Sequence, residues 1–143
     1  MLVRQILEFK GGSNVVTIDV GASVADAARL LSEKRIGAVV VLDDGAPAGI
    51  LSERDVVREL GRRGDGCLKD KVDSLMTRAM VTASPQESAD QVLTKMTDGR
   101  FRHMPVMDGE TMVGLISIGD VVKARLAELS MEKDALEGMI MGH

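Results

Sequence analysis

The chain has 143 residues, 45% apolar and 28% charged, which is enough apolar material for a packed core and excludes a disordered chain. A net charge of -4, with Phe9 and Phe101 as the only aromatics, argues against a nucleic-acid partner, which would need a basic face or stacking platforms. The single cysteine, Cys67, excludes an internal disulfide and a zinc–cysteine cluster.

The N-terminal stretch MLVRQILEFKGG is interrupted by Arg4, Gln5 and Glu8, so a signal peptide is not expected. The longest apolar run, residues 36–42, is far short of the roughly 20 residues of a membrane helix. A cytoplasmic protein without membrane contact is the expectation. Residues 15–18 (VVTI) predict a short extended segment, followed by a turn at Gly21 and a helix N-cap at Ser23. Val24, Ala27, Ala28, Leu30 and Leu31 then carry helical spacing. The β-rich run 36–42 (IGAVVVL), the turn DDGAP and residues 48–51 predict two strands. A second helix is predicted from about residue 53 to 61.

Residues 61–71 (GRRGDGCLKDK) read as a linker, and Cys67 within it as an incidental thiol. Residues 72–76 (VDSLM) predict a short helical turn. Residues 3–7 (VRQIL) are its candidate counterpart ahead of the first copy, with an insertion near GGSN. The order then recurs: an extended segment at 80–82, a turn at Pro85 and an N-cap at Ser88. A helix follows with Ala89, Val92, Leu93 and Met96, then strands at 103–107 and 113–116 and a helix from 118 onward. Leu126, Leu129, Lys133, Leu136 and Ile140 form a terminal amphipathic stripe, either packed on its own domain or paired with a second subunit. The ten methionines read as adaptable core filler.

A shift of 65 residues lays 16–57 on 81–122 without a gap, with eleven of 42 positions identical; chance would give about two or three. The run Gly-x-x-Ser-x-x-Asp-Val-Val occurs in both copies, at Gly49–Val57 and Gly114–Val122. The chain is thus a tandem α/β (α+β) repeat of order β-α-β-β-α. Residues 1–62 and 72–127 are the repeats, 63–71 the linker and 128–143 a C-terminal helical extension.

Ser52-Glu53-Arg54-Asp55 and Ser117-Ile118-Gly119-Asp120 each admit two readings. A Ser-x-x-Asp ahead of an apolar run is a helix capping box. The same carboxylate can accept hydrogen bonds from both vicinal hydroxyls of a ribose, beside a helix N-terminus that favours phosphate. Gly49 and Gly114 keep side chains out of the path of a ligand or a packing helix. His103 and His143 are the only histidines, without ligand spacing, and there is no Walker or dinucleotide glycine motif. Independent catalysis is not expected, and no cofactor is required.

The segments 48–58 (AGILSERDVVR), 100–108 (RFRHMPVMD) and 113–123 (VGLISIGDVVK) resemble the CBS-domain family, and the two copies resemble a stand-alone CBS pair, or Bateman module. The resemblance covers about residues 1–127. It implies two pseudo-symmetric repeats packed through their sheets, with clefts that bind adenine nucleotides, and a homodimer serving an unknown protein client. On that resemblance Ser52, Asp55, Ser117 and Asp120 would hold ribose, and Arg54, Arg102 and His103 phosphate. Thr17, Ile36, Val39, Thr82, Met104 and Val106 would line the adenine cleft. For His103 a partly buried structural role stays open, as does ordinary core packing for the apolar wall residues. Gly119 and Ile118 replace Arg54 and Glu53 in the second copy, so the two sites are expected to be chemically unequal.

Overall fold

The computed structural model describes residues 1–11 and 15–141. The expected insertion falls largely on residues 12–14, which with His143 lie outside the described residues. The elements run α1 (Val3–Phe9), β1 (Thr17–Asp19), α2 (Val24–Lys34), β2 (Ala38–Asp43), β3 (Ala46–Ser52) and α3 (Glu53–Arg63). After 3₁₀ turns at Gly64–Lys69 and Val72–Ser74 come α4 (Ala89–Gly99), β4 (His103–Asp108), β5 (Thr111–Ser117) and α5 (Ile118–Ile140).

The chain divides into two compact units: Val15–Met80, and Met1–Asn14 with Val81–His143. In the first, β1 lies parallel to β2, and β2 pairs antiparallel with β3. Its core is built on Val24, Ala27, Leu31, Val39, Val41, Leu51, Val56 and Val72. In the second, β4 and β5 form the antiparallel pair, over a core that includes Val3, Ile6, Val92, Met96, Met104, Val106 and Ile116.

Local chemistry explains most element ends. The Ser23 hydroxyl accepts the Asp26 amide at 3.0 Å, and Ser88 and Gln91 form a reciprocal capping box of 2.8 and 3.1 Å. α2 and α4 both stop on an arginine in the left-handed conformation, Arg35 at φ 54° and Arg100 at φ 56°. The β2–β3 loop is Asp44-Gly45 with φ of 52° and 81°, the two-residue hairpin an Asp-Gly pair favours.

The expected opening strand at 80–82 is not a strand. One bridge, Ala83 to Val106, stands where Ile18 pairs with Val41 in the first unit. Prolines are the cause. Val40 and Val20 donate to Val16 and Leu42 at 3.1 and 2.9 Å, and their equivalents by the 65-residue shift are Pro105 and Pro85. Neither has an N–H, so only the Ala83–Pro105 and Met107–Ala83 bonds survive, at 2.9 and 2.8 Å.

The lead-in turns are exchanged between the repeats. Val72 donates to Ala22 and Val24 to Asp70, at 2.9 and 2.8 Å. Val3 donates to Glu87 and Ala89 to Met1, at 2.8 and 2.9 Å, which is the same pattern shifted by 65 residues on one side and 69 on the other. Residues 1–7 therefore dock on the second repeat and 70–76 on the first. The counterpart expected at residues 3–7 is present, and the compact units cut the chain at places other than the repeat ends.

The expected linker is structured. It coils as a 3₁₀ turn that buries Cys67 completely, and Arg63 binds Glu59 and Asp70 across its ends. α5 runs unbroken through residue 128, so the helical extension is the continuation of the second repeat's last helix. At roughly 1.5 Å per residue its 23 residues span about 34 Å. Leu126, Leu129, Leu136 and Ile140 are all exposed, so the stripe is not packed on its own domain. Among the described residues no helix is long and apolar enough to cross a membrane.

Candidate functional site

The two Ser-x-x-Asp segments sit where β3 turns into α3 and β5 turns into α5. Ser52 and Ser117 are N-caps in extended conformation, and the aspartate three residues on folds back to the cap. Asp55 Oδ2 accepts the Ser52 amide at 2.9 Å and the Ser52 hydroxyl at 3.0 Å, while the Asp55 amide donates back to Ser52 Oγ at 3.3 Å. Asp120 Oδ2 accepts the Ser117 amide at 2.9 Å, and its own amide donates to Ser117 Oγ at 3.0 Å. Both carboxylates are still partly open, at 18% and 23% exposure. The capping reading is therefore real, and it leaves an oriented acceptor at the surface of each unit.

The preceding strand is tied to the same place. Glu53 N–H donates to the Gly37 carbonyl at 2.8 Å, and Ile118 N–H to the Arg102 carbonyl at 2.8 Å. In the second unit His103 pairs with Ser117 in the β4–β5 ladder, so Arg102, His103, Ser117 and Asp120 come together. The chain bends at Arg102, one residue before β4, which frees that side chain from strand alternation. Arg102 is exposed and His103 half-buried. Arg54 is exposed on α3 and, with Glu53, Val57 and Arg58, lines an open hollow of about 380 Å³.

The expected adenine wall separates into two groups. Val39, Met104 and Val106 are fully buried in the two cores, where they pack and present no open surface. Ile36 and Thr82 are half-buried and Thr17 is exposed. The Thr82 carbonyl accepts Lys95 Nζ at 3.1 Å, and Lys95 is held by Glu87 at 2.7 Å.

The glycines of the motif serve packing. A Cβ on Gly49 would lie 2.6 Å from Met76 Sδ and 2.9 Å from the Thr77 carbonyl, and one on Gly114 would lie 2.6 Å from Leu7 Cδ2. These partners belong to the exchanged lead-in turns, so the motif glycine admits the turn.

One residue of the site had no sequence signal as a ligand. Lys10, just past α1, donates from Nζ to Asp120 Oδ2 and to the Leu115 carbonyl, both at 2.9 Å. In the first unit the equivalent carbonyl, that of Ile50, is taken by the Thr77 backbone amide at 2.9 Å. Among the described residues the ion-pair partner of Asp55 is Arg58, at 3.8 Å, with its side chain 69% exposed. Burial pushes the Asp120 carboxyl up, but the hydrogen bond and charge of Lys10, with the Ser117 amide, outweigh it and hold the group below its ordinary value. Only the change of offset from 69 to 65, four added residues ahead of the first copy, hints that the chain here differs between repeats.

The CBS-domain family model matches residues 8–62 and 72–127, which together are most of the chain. The chain belongs to the CBS-domain family. As a CBS pair it is similar to the crystal structure of the CBS-domain protein ATU1752 from Agrobacterium tumefaciens, at 43% identity and TM-score 0.84, over 87% of this chain and 99% of that one. The mitochondrial CBS-domain protein CBSX3 of Arabidopsis thaliana is 36% identical over 125 residues, which are 84% of this chain and 61% of that protein. The chain thus spans about three fifths of that curated relative. The CBS pair of protein MJ0100, solved in complex with 5′-methylthioadenosine and S-adenosyl-L-methionine, matches at 25% identity and TM-score 0.77, over 90% of this chain and 98% of that one.

Proposed function

We propose that this CBS pair is a regulatory module that binds an adenosine-containing ligand at the Asp55 and Asp120 sites and passes its state to a protein client as a homodimer. The observation that carries the reading is the duplicated cap. Each aspartate is fixed by its own serine and stays partly exposed, which is the pre-oriented double acceptor a ribose diol needs. The adenosine ligands of MJ0100 support the same class of ligand here. Ser52 and Ser117 complete the ribose contacts, and Arg54, Arg102 and His103 supply phosphate contacts. Thr17, Thr82 and Ile36 flank the base, and Val39, Met104 and Val106 back them from the core.

As sequence units, 1–62 and 72–127 are taken as the repeats, 63–71 as the linker and 128–143 as the extension. The protein is read as cytoplasmic and non-catalytic, with signalling by linkage: ligand shifts a conformational equilibrium by its preference for one state.

The test is calorimetric titration of ligand-stripped protein with AMP, ADP, ATP, NAD and S-adenosylmethionine. Asparagine, which keeps an acceptor for the cap amide, is the right replacement at both aspartates. The expected result is micromolar binding of at least one ligand, lost in Asp55→Asn/Asp120→Asn with the fold retained. Undiminished affinity in that folded double variant would remove the ribose assignment.

A second reading, an interaction module working through α5, is favoured by one observation: Leu126, Leu129, Met131, Leu136, Met139 and Ile140 stand exposed along it. Flat titrations of folded protein, with an oligomer lost on Leu129→Glu/Leu136→Glu, would select it.

A further inference from the structure

Asp55 and Asp120 are copies of one another in sequence and cap geometry, yet their charge environments differ. Asp120 Oδ2 is shared between the Ser117 amide and the Lys10 ammonium. Lys10 Nζ is itself anchored by the Leu115 carbonyl, and α1, which presents it, is fixed by Leu7 against Gly114 and by Val3 on Glu87. A second ammonium lies close by in the fold. Lys123, one turn beyond Asp120 on α5, sits 5.9 Å from the centroid of the Phe9 ring, and Phe9 is the residue before Lys10. Lys10 is thus the cation on the Asp120 carboxylate, and Lys123 packs over the ring of the neighbouring Phe9.

Resting on the ligand-binding reading above, we infer that Lys10 is a specificity-determining residue of the Asp120 site: it occupies the carboxylate in the ligand-free chain and yields it to adenosine ligands that bring an anionic group of their own. A ribose diol bound across both carboxylate oxygens engages Oδ2, the oxygen that Lys10 holds. A neutral nucleoside that takes it breaks the Lys10–Asp120 pair and offers the ammonium no anion in return, leaving a backbone carbonyl as its remaining partner. A nucleotide that takes it offers a phosphate to the same ammonium, so the pair is exchanged and not broken. Among the described residues no lysine pairs with the Asp55 carboxylate, and its ion-pair partner is the exposed Arg58. At the first site selection of a phosphate rests on Arg54 alone, whereas at the second the exchange on the carboxylate adds to it and sharpens the preference for nucleotides.

The test isolates the second site in an Asp55→Asn chain and titrates it with adenosine and with AMP. AMP should bind at least about tenfold more tightly, or about 1.4 kcal/mol. Lys10→Gln in that background should lower the ratio by at least about threefold, with the phosphate contacts of Arg102 and His103 supplying the preference that remains, and Lys10→Arg should keep it. A ligand-free readout accompanies these: by NMR, the Asp120 carboxyl should titrate at higher pH in Lys10→Gln than in wild type or Lys10→Arg. An AMP-to-adenosine ratio unchanged by Lys10→Gln, with AMP still bound, overturns the role of Lys10 and leaves the binding reading standing. An unmoved Asp120 titration overturns the occupancy of its carboxylate by Lys10. No binding of either compound to wild type or to the Asp55→Asn chain removes the ribose reading and this inference together. Lys10 lies at a helix end with its side chain 35% exposed, and melting curves establish that each variant is folded.

Discussion

Adding one methyl group at each motif glycine separates two kinds of contact that look identical in sequence. At Gly114 the three atoms nearest the new Cβ all belong to the Leu7 side chain, at 2.6, 3.1 and 3.4 Å. At Gly49 it would meet Met76 Sδ and Cγ at 2.6 and 2.9 Å, and also the Thr77 carbonyl oxygen at 2.9 Å. Carbon contacts are comfortable near 3.5–4.0 Å, so either methyl demands a displacement on the order of 1 Å. Leu7 and Met76 are side chains that can give. The Thr77 carbonyl cannot give as easily, because Thr77 exchanges bonds of 2.9 and 3.0 Å with Ile50, the neighbour of Gly49. Overpacking of a filled site costs roughly 1–3 kcal/mol, so Gly114→Ala is expected at about 1–2 and Gly49→Ala at about 2–3 kcal/mol. Urea unfolding read by circular dichroism measures both. Two double variants sharpen the test. Leu7→Ala should remove most of the Gly114→Ala penalty, a coupling of about 1 kcal/mol, whereas Met76→Ala should leave most of the Gly49→Ala penalty in place. Additive behaviour of Leu7 and Gly114 within about 0.5 kcal/mol would refute the claim that this glycine exists to admit the lead-in helix.

Asp120 gives a pH signature. Its folded pKa is lowered from the ordinary 3.8, so its contribution to stability is present above that value and is lost as the pH falls through the folded pKa. Urea midpoints of wild type and Lys10→Gln should differ at pH 7 and converge only as the pH falls below 3.8 and through the lowered folded value, and a gap that persists beyond it would contradict the ion pair. Arg35 and Arg100 each hold a left-handed backbone that costs a non-glycine residue about 1 kcal/mol or more. Replacing either by glycine should leave stability unchanged or raise it by up to about 1 kcal/mol, and a loss larger than that in the same assay would show that the arginine side chain contributes. Pro85→Val/Pro105→Val should restore two backbone donors and extend the single Ala83 bridge into a strand like β1. Hydrogen exchange should then find the amides of residues 85 and 105 protected, while rapid exchange at both would contradict the proline explanation.

What could be read from the sequence was whatever acts over short separations. The Ser-x-x-Asp caps span three residues, the Asp-Gly hairpin two, and the repeat announces itself by identity. Both caps, the hairpins and, apart from the strand expected at 80–82 and the linker, the order of elements accordingly match the structure. Where the reading departed, a backbone effect or a distant contact decided. The apolar run predicts Ile36 in a strand, but its amide still closes α2 on the Leu31 carbonyl at 3.2 Å, so β2 begins two residues later. Val39, Met104 and Val106 were expected to face a cleft, but Ala38 through Val41 and Met104 through Val106 are consecutively buried, and alternation cannot reveal which face stays open when neither does. Prolines at 85 and 105 were visible, and their consequence appears only once Val20 and Val40 are known to be the donors that bind β1 to β2.

Lys10 shows the same limit at the site itself. Its partner is 110 residues away, and the first repeat offers no template because its lead-in continues into the Thr77–Ile50 bridge. Exchange of the lead-in turns explains why that position could diverge. The turn docked on the second repeat is α1, with Lys10 at its exit, and the turn docked on the first is a 3₁₀ turn that proceeds into extended backbone. The same structural niche, the carbonyl of Ile50 or Leu115 beside a capping aspartate, is therefore filled by a neutral amide in one unit and by a cation in the other. A duplicated fold held to near-identical hydrogen-bond registers can acquire unequal sites in this way. The repeats keep the cap, and the exchanged segment, which packs on the partner repeat, sets its charge.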